Sequence, residues 1–212
     1  MKKTLIFLLA LPLFSQIQAQ ERQRQWIGLS YEAFESKQSN LTFAQRLRWQ
    51  EQNFHQWISE LDYKTDLGKD FSAGVEFRYI LEKDRSGAIQ GNRTAGRIRL
   101  NLYHEIDTKP LEIENRAGIQ FQRRFDDKKD NLVFRFRPQI TPKIRNFKHD
   151  PSFRIEWFQN LDTTQDYSIR YGIDIPFKFD NNRLRFGYFY EAFNLQSQEN
   201  QQVIYVRYKF GR

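Results

Sequence analysis

Long runs of strict two-residue alternation constrain this chain more than any other feature. Ile27, Leu29, Tyr31 and Ala33 oppose Gly28, Ser30 and Glu32, and Leu41, Phe43, Leu47 and Trp49 oppose Thr42, Ala44, Arg46 and Arg48. Phe71, Ala73, Val75, Phe77, Tyr79 and Leu81 oppose Ser72, Gly74, Glu76 and Arg78, and Ile98, Leu100 and Leu102 oppose Arg97, Arg99 and Asn101. Side chains on a strand point alternately to its two faces, so this period predicts strands, and helical spacing fails in the same windows. Eleven such segments are legible, near residues 25–35, 40–50, 54–66, 70–83, 93–107, 110–125, 131–144, 152–161, 165–179, 182–194 and 201–210. Most are far longer than the five or six residues usual in soluble sheets, and match the 9–11 that a tilted strand needs to cross a bilayer.

The connections are short and carry turn residues, as in Glu35-Ser36-Lys37-Gln38, Asp66-Leu67-Gly68-Lys69-Asp70, Asp107-Thr108-Lys109-Pro110 and Asp180-Asn181-Asn182. No linker or composition break divides the chain, which reads as one domain of sequential hairpins. The first nineteen residues stand apart. Lys2-Lys3 is a short positive region, Leu5 to Phe14 is apolar apart from Pro12, and Ala19 offers a small residue before Gln20. That is the pattern of a secretory signal peptide, so the expectation is a leader at 1–19 and a barrel domain at 20–212.

Charge is sorted by residue type. Within the strands it is largely arginine: Arg46, Arg48, Arg78, Arg97, Arg99, Arg116, Arg135, Arg137, Arg154, Arg170, Arg183 and Arg185. Acids share those faces, among them Glu32, Glu76, Glu105, Glu112, Glu114, Glu156, Asp174 and Glu191, while Lys37, Lys69, Lys83, Lys109, Lys128, Lys129 and Lys148 lie in connections. Lysine is a hydrated point charge, whereas the flat guanidinium fork suits confined pairing with carboxylates. The polar face is therefore expected to be enclosed and the apolar face to point outward, the reverse of a soluble barrel. Arg46, Arg48, Arg97, Arg99, Arg135, Arg137, Arg183 and Arg185 are expected to project inward and meet Glu32, Glu76, Glu105, Glu114, Glu156 and Glu191, with Arg78, Arg116 and Arg170 in the same network.

The fold class follows: all-β, an antiparallel up-and-down transmembrane β-barrel of ten to twelve strands. Twelve is favoured because single-chain bacterial barrels are expected to have an even number. An extra short strand in residues 20–25, or a first segment outside the wall, would restore parity to eleven. Aromatic residues make up 16% of the chain, with Phe 20 and Tyr 10, and Trp26, Trp49, Trp57 and Trp157 could supply girdles at the membrane interfaces. Cys 0 excludes disulfide staples, thiolate metal sites and cysteine nucleophiles. In the last segment Ile204, Val206, Tyr208 and Phe210 alternate up to an aromatic near the C-terminus, which resembles the terminal signal read by the barrel-assembly machinery; Gly211 and Arg212 follow it.

Several elements, taken in order, resemble the uncharacterised Bacteroidota outer-membrane family catalogued as a domain of unknown function, DUF2490. They are Trp26-Ile27-Gly28-Leu29, Arg46-Leu47-Arg48, Gly74-Val75-Glu76-Phe77-Arg78-Tyr79, Asn115-Arg116 and Arg135-Phe136-Arg137. Glu156-Trp157-Phe158, Arg170-Tyr171-Gly172 and the closing Tyr205-Val206-Arg207-Tyr208-Lys209-Phe210 complete the set. The resemblance spans nearly the whole mature chain and implies an outer-membrane barrel of a Gram-negative bacterium. It brings no established activity and no catalytic residue.

Catalytic constellations are scarce. His55, His104 and His149 lie on three separate segments, and no G-x-S-x-G elbow, H-E-x-x-H helix, phosphate loop or dinucleotide fingerprint is present. Ser30, Ser59, Ser72 and Ser168 lie within strands, with nothing marking one as a nucleophile. Asp126-Asp127-Lys128-Lys129-Asp130 reads as a solvated hairpin tip and not a calcium loop, because lysines interleave its acids. The net charge of +8 with interleaved aromatics does not read as nucleic-acid binding, since the arginines are matched by acids and the chain carries an export signal. The expected role is a non-catalytic outer-membrane barrel, structural or a narrow pore, without cofactor or metal. Its partners would be outer-membrane lipids, lipopolysaccharide and the assembly machinery, and it would be monomeric. Two alternatives are a lipid- or lipopolysaccharide-modifying enzyme and a soluble periplasmic barrel that binds an apolar ligand.

Overall fold

The computed structural model describes residues 22–84, 91–126, 128–163, 166–194 and 199–211; the leader read at 1–19 lies outside them. Eleven strands form: β1 (Arg22–Glu35), β2 (Ser39–Gln50), β3 (Asn53–Gly68), β4 (Phe71–Asp84), β5 (Gly91–Asp107) and β6 (Leu111–Arg124), then β7 (Asp130–Pro142), β8 (Ser152–Asn160), β9 (Tyr167–Phe179), β10 (Asn182–Phe193) and β11 (Gln201–Phe210). They correspond one to one with the eleven alternating segments. Each pairs antiparallel with its sequence neighbours, and β1 and β11 close the sheet into a barrel.

The wall corrects the favoured count of twelve to eleven. An odd number of up-and-down strands brings the first and last to the seam running in the same direction, and β1 pairs parallel with β11 from Arg22↔Gln201 to Tyr31↔Phe210. Neither device expected to restore parity is used. Arg22 to Gln25 belong to β1 itself, and β1 stands fully in the wall with β2 on its other edge. Inside the seam, Trp26, Phe189, Val203 and Tyr205 pack as a buried apolar cluster, with Trp26 edge-on to Phe189 at 4.9 Å between centroids. Trp26 thus faces the interior and does not join an outer girdle. Its parity explains this, since Trp26 shares a face with Arg24 and Gly28.

The exterior is apolar on every strand. Leu29 on β1, Leu47 on β2, Leu61 on β3, Val75 on β4, Leu100 on β5 and Ile119 on β6 are exposed. The ring continues through Phe136 on β7, Ile155 on β8, Tyr171 on β9, Phe186 on β10 and Ile204 on β11, the last 63% exposed. Exposed aromatics lie toward both ends of the wall: Phe34, Tyr63, Phe71, Phe153 and Phe179 toward one, and Trp57, Tyr79, Phe121, Trp157 and Tyr167 toward the other.

Turns and irregularities have local causes. Glu51 and Gln52 join β2 to β3 with φ of 49° and 67°, and Lys69 and Asp70 join β3 to β4 with φ of 51° and 66°. Two successive left-handed residues make the turn whose twist matches a tight hairpin, here without the usual Asn-Gly. The β7–β8 ladder is interrupted between Phe136↔Trp157 and Gln139↔Arg154, where Pro138 lacks an N–H to donate.

Gly187 is required by a close approach. It pairs across the ladders with Tyr205 and Asp174, and a Cβ there would collide with the Tyr205 ring and the Asp174 carboxylate. Gly187→Ala is expected to destabilise the barrel by ~1–3 kcal/mol as the buried Tyr205 is displaced; an unchanged denaturation midpoint would show that the ring has room to move.

Candidate functional site in the barrel lumen

Because polar residues alternate with those of the apolar outer face, the register stacks their side chains into the lumen, and the ladders bring opposite charges side by side. Glu60 stands opposite Arg78, Glu76 opposite Arg99, Glu156 opposite Arg170 and Arg170 opposite Glu191. Cross-strand neighbours at this spacing are within reach of long side chains.

Two connected networks result. On β2 to β5, Arg46 donates to Glu60 at 2.5 Å, and Arg78 lies 2.5 Å from Glu60 and 2.7 Å from Glu76. Glu76 in turn pairs with Arg99. On β6 to β11, Glu156 gathers three guanidinium groups. Arg135 and Arg116 donate to one carboxylate oxygen at 2.6 and 2.9 Å, and Arg170 reaches the other at 3.4 Å. Arg135 also donates to Gln120 at 2.9 Å. Arg170 continues to Glu191 at 2.7 Å, where Ser168 and Gln201 also donate, at 3.0 and 2.5 Å. A third link, Arg154 to Asp174, extends across the lumen as Arg154 donates to the Tyr205 hydroxyl at 2.7 Å.

The structure places the arginines and acids of the expected lumen group as follows. Arg99–Glu76, Arg135–Glu156 and Arg137–Glu114 form ion pairs. Glu32 instead pairs with Lys209 across the parallel seam at 2.7 Å, and Glu105 with Lys64 at 2.6 Å. Arg46 goes to Glu60, which the sequence reading passed over together with Asp62, Arg24 and Arg207. Period two could have found these four: Glu60 and Asp62 alternate with Leu61 and Tyr63, and Arg24 and Arg207 share parity with Trp26 and Tyr205. Arg48 and Arg97 bond to the neutral amides of Gln56 and Gln122. Arg185 is half-buried on β10, whereas Arg183, expected to project inward, is exposed at the second residue of that strand, where the wall gives way to the 180–181 turn. Ile204 and Phe210 of the C-terminal pattern are exposed on the outer face, and Val206 and Tyr208 share their parity.

These side chains line a cavity of about 490 Å³. Among the described residues twelve arginines line it against five carboxylates, Glu60, Asp62, Glu76, Glu156 and Glu191, so its interior is strongly electropositive. Aromatic faces absorb part of this charge. Arg48 lies 3.8 Å above Trp26, and Arg170 lies 4.2 Å from Phe189 and 4.7 Å from Phe158.

The three histidines occupy separate positions. His55 is 3.8 Å from Glu82, His104 stacks on Phe71 at 4.6 Å, and His149 Nδ1 lies 3.1 Å from the Pro176 carbonyl. Ser59 donates to Gln45 and Ser168 to Glu191, and no Ser–His hydrogen bond occurs among the described residues. Among them no cluster of His, Asp and Glu has metal-holding geometry. Of the 126–130 tip, Asp127 lies outside the described residues, Asp126 caps Thr94 at 3.2 Å and Asp130 is 3.5 Å from Arg123. No family model matches the chain, and no curated protein matches it.

Proposed function

We propose that this protein is an integral outer-membrane β-barrel of non-catalytic type, a structural barrel or narrow pore whose lumen is lined by an arginine–carboxylate network. The observation that carries this reading is the inverted barrel: exposed large apolar side chains on all eleven strands and buried charge within. Soluble monomers seldom expose a contiguous apolar patch beyond a few hundred Å², whereas a lipid-facing wall needs an unbroken one. Strands of 9 to 17 residues supply the length to cross. The resemblance to the outer-membrane family, and the leader at 1–19, support the same placement.

The orientation proposed puts the C-terminal end of β11 at the periplasm. The connections at that end include the two-residue turns 69–70 and 180–181, and short periplasmic turns are the rule. The start of β1 then lies at the outer face, a consequence of the odd strand number.

The protein is expected to fractionate with the outer membrane, to begin at Gln20 after leader removal and to resist carbonate extraction. It should also migrate differently in detergent gels before and after boiling. Release into the carbonate supernatant would reject membrane integration in favour of a soluble periplasmic barrel. Lipid hydrolysis or acyl transfer lost on single replacement of His55, His104 or His149 would establish the enzymatic alternative.

A further inference from the structure

Arginine outnumbers acid throughout the lumen, and the cluster at the start of β1 also carries an unpartnered indole. On β1 and β2, toward the end where β1 begins, Arg24, Trp26 and Arg48 line the cavity together, and Trp26 pairs with Arg48 across the ladder. Trp26 is buried, 7% exposed, yet its indole Nε1 has no hydrogen-bond partner, and the Nε atoms of Arg24 and Arg48 are likewise buried without one. The strongest charges around Arg48 are Arg78, Arg46, Arg97 and Arg170, with no carboxylate among them. Arg97 donates to the amide oxygen of Gln122. Buried donors are almost always paired, and an unpaired cationic cluster is the costliest exception.

We propose that this part of the lumen is a binding site for a small phosphate-bearing solute, held by Arg24, Trp26, Arg48 and Arg97. Every group named is a donor, and Trp can only donate, so the complement must be an acceptor carrying negative charge. Planar guanidinium forks match the paired oxygens of a tetrahedral oxyanion better than they match a spherical halide. The cavity, at about 490 Å³, falls within the usual size of small-molecule sites. The closed wall separates the cavity from the apolar exterior, so the proposed solute is a water-borne phosphate and not a lipid headgroup still attached to its chains. The proposal stands on the enclosed lumen and not on the membrane placement.

The test is thermal unfolding and titration calorimetry of the detergent-solubilised full chain with inorganic phosphate, against sodium chloride at matched ionic strength. Phosphate is expected to raise the midpoint where chloride does not. Arg48→Gln and Arg97→Gln should each weaken phosphate binding about tenfold or more, the scale of a lost charge-assisted bond. Trp26→Phe, which keeps the ring and removes only the N–H, should weaken it by a smaller factor, and Lys128→Ala should leave it unchanged. A second arm adds short-chain phosphatidic acid micelles in phosphate-free buffer, and stabilisation by these alone would overturn the water-borne assignment. Equal shifts with phosphate and chloride, or wild-type binding by both Trp26→Phe and the arginine variants, would overturn the site. Heat-modifiable migration of the same samples reads barrel integrity separately, so a failed barrel and a failed site give different results.

Discussion

Glu156→Ala is expected to lower the unfolding free energy of the barrel by ~3–5 kcal/mol, the scale on which removing one partner strands a buried charge. Glu156 is 3% exposed and, among the described residues, is the only carboxylate touching Arg116 and Arg135, while it shares Arg170 with Glu191. Its loss leaves two guanidinium groups confined together without compensation. Arg135→Ala should cost less, because Glu156 keeps Arg116 and Arg170 as partners. Glu156→Gln keeps the shape and an acceptor but not the charge, and should fall between Arg135→Ala and Glu156→Ala. Lys128→Ala, outside the strands, should change stability by no more than ~0.5 kcal/mol. Denaturant titration in detergent, followed by the folded gel band, measures all four. A Glu156→Ala midpoint indistinguishable from that of Lys128→Ala would mean that water reaches the network and screens it.

The wall was legible in the sequence because alternation is a local property. A segment such as 70–83 announces its two faces without reference to any neighbour, and the structure places β4 at Phe71–Asp84. Turn chemistry was less legible. Glu51-Gln52 carries no Gly, Asn or Asp, yet it adopts two left-handed conformations, because the paired strands on either side fix the loop at two residues. The eleven wall segments were legible one by one, but the closure was not, and the even-number expectation displaced the count from eleven to twelve. Whether β1 meets β11 directly, and in parallel, depends on closing a sheet between residues 22–31 and 201–210, and nothing in either segment marks that pairing.

The lumen divides the same way. That Arg78, Arg99, Arg135, Glu76, Glu156 and Glu191 are buried follows from parity. Which acid each arginine meets follows from register and from reach across intervening strands, and neither is local. Arg116 on β6 meets Glu156 on β8 across β7, and Lys64 on β3 meets Glu105 on β5 across β4. Glu32 finds Lys209 only because the seam is parallel. The surplus of arginine over acid was hidden for a related reason. Counted along the whole chain, Lys and Arg number 34 against 26 acids, a modest excess. Segregation of lysine to the connections and of several acids to the strand ends concentrates the imbalance in the cavity.

Reconstituted in a planar bilayer, the wild-type barrel is expected to conduct poorly. Interiors of about eight strands are filled by side chains and open porins need about sixteen, so at eleven strands the length of the lumen side chains decides. Here they are long and cross the bore: Arg154 from β8 reaches Tyr205 on β11, and Arg170 from β9 lies 5.9 Å from the Trp26 ring on β1. Arg154→Ala combined with Arg170→Ala removes both chords while leaving Glu156 with Arg116 and Arg135. Conductance should rise severalfold over wild type, and anions should carry most of the current, because the remaining arginines still outnumber the lining carboxylates. The reversal potential in a salt gradient reads that selectivity directly. Large, steady, porin-like conductance from the wild type would reject the filled lumen and favour an open solute channel. A double variant as silent as the wild type would locate the occlusion elsewhere, in the first network of Arg46, Glu60, Arg78, Glu76 and Arg99.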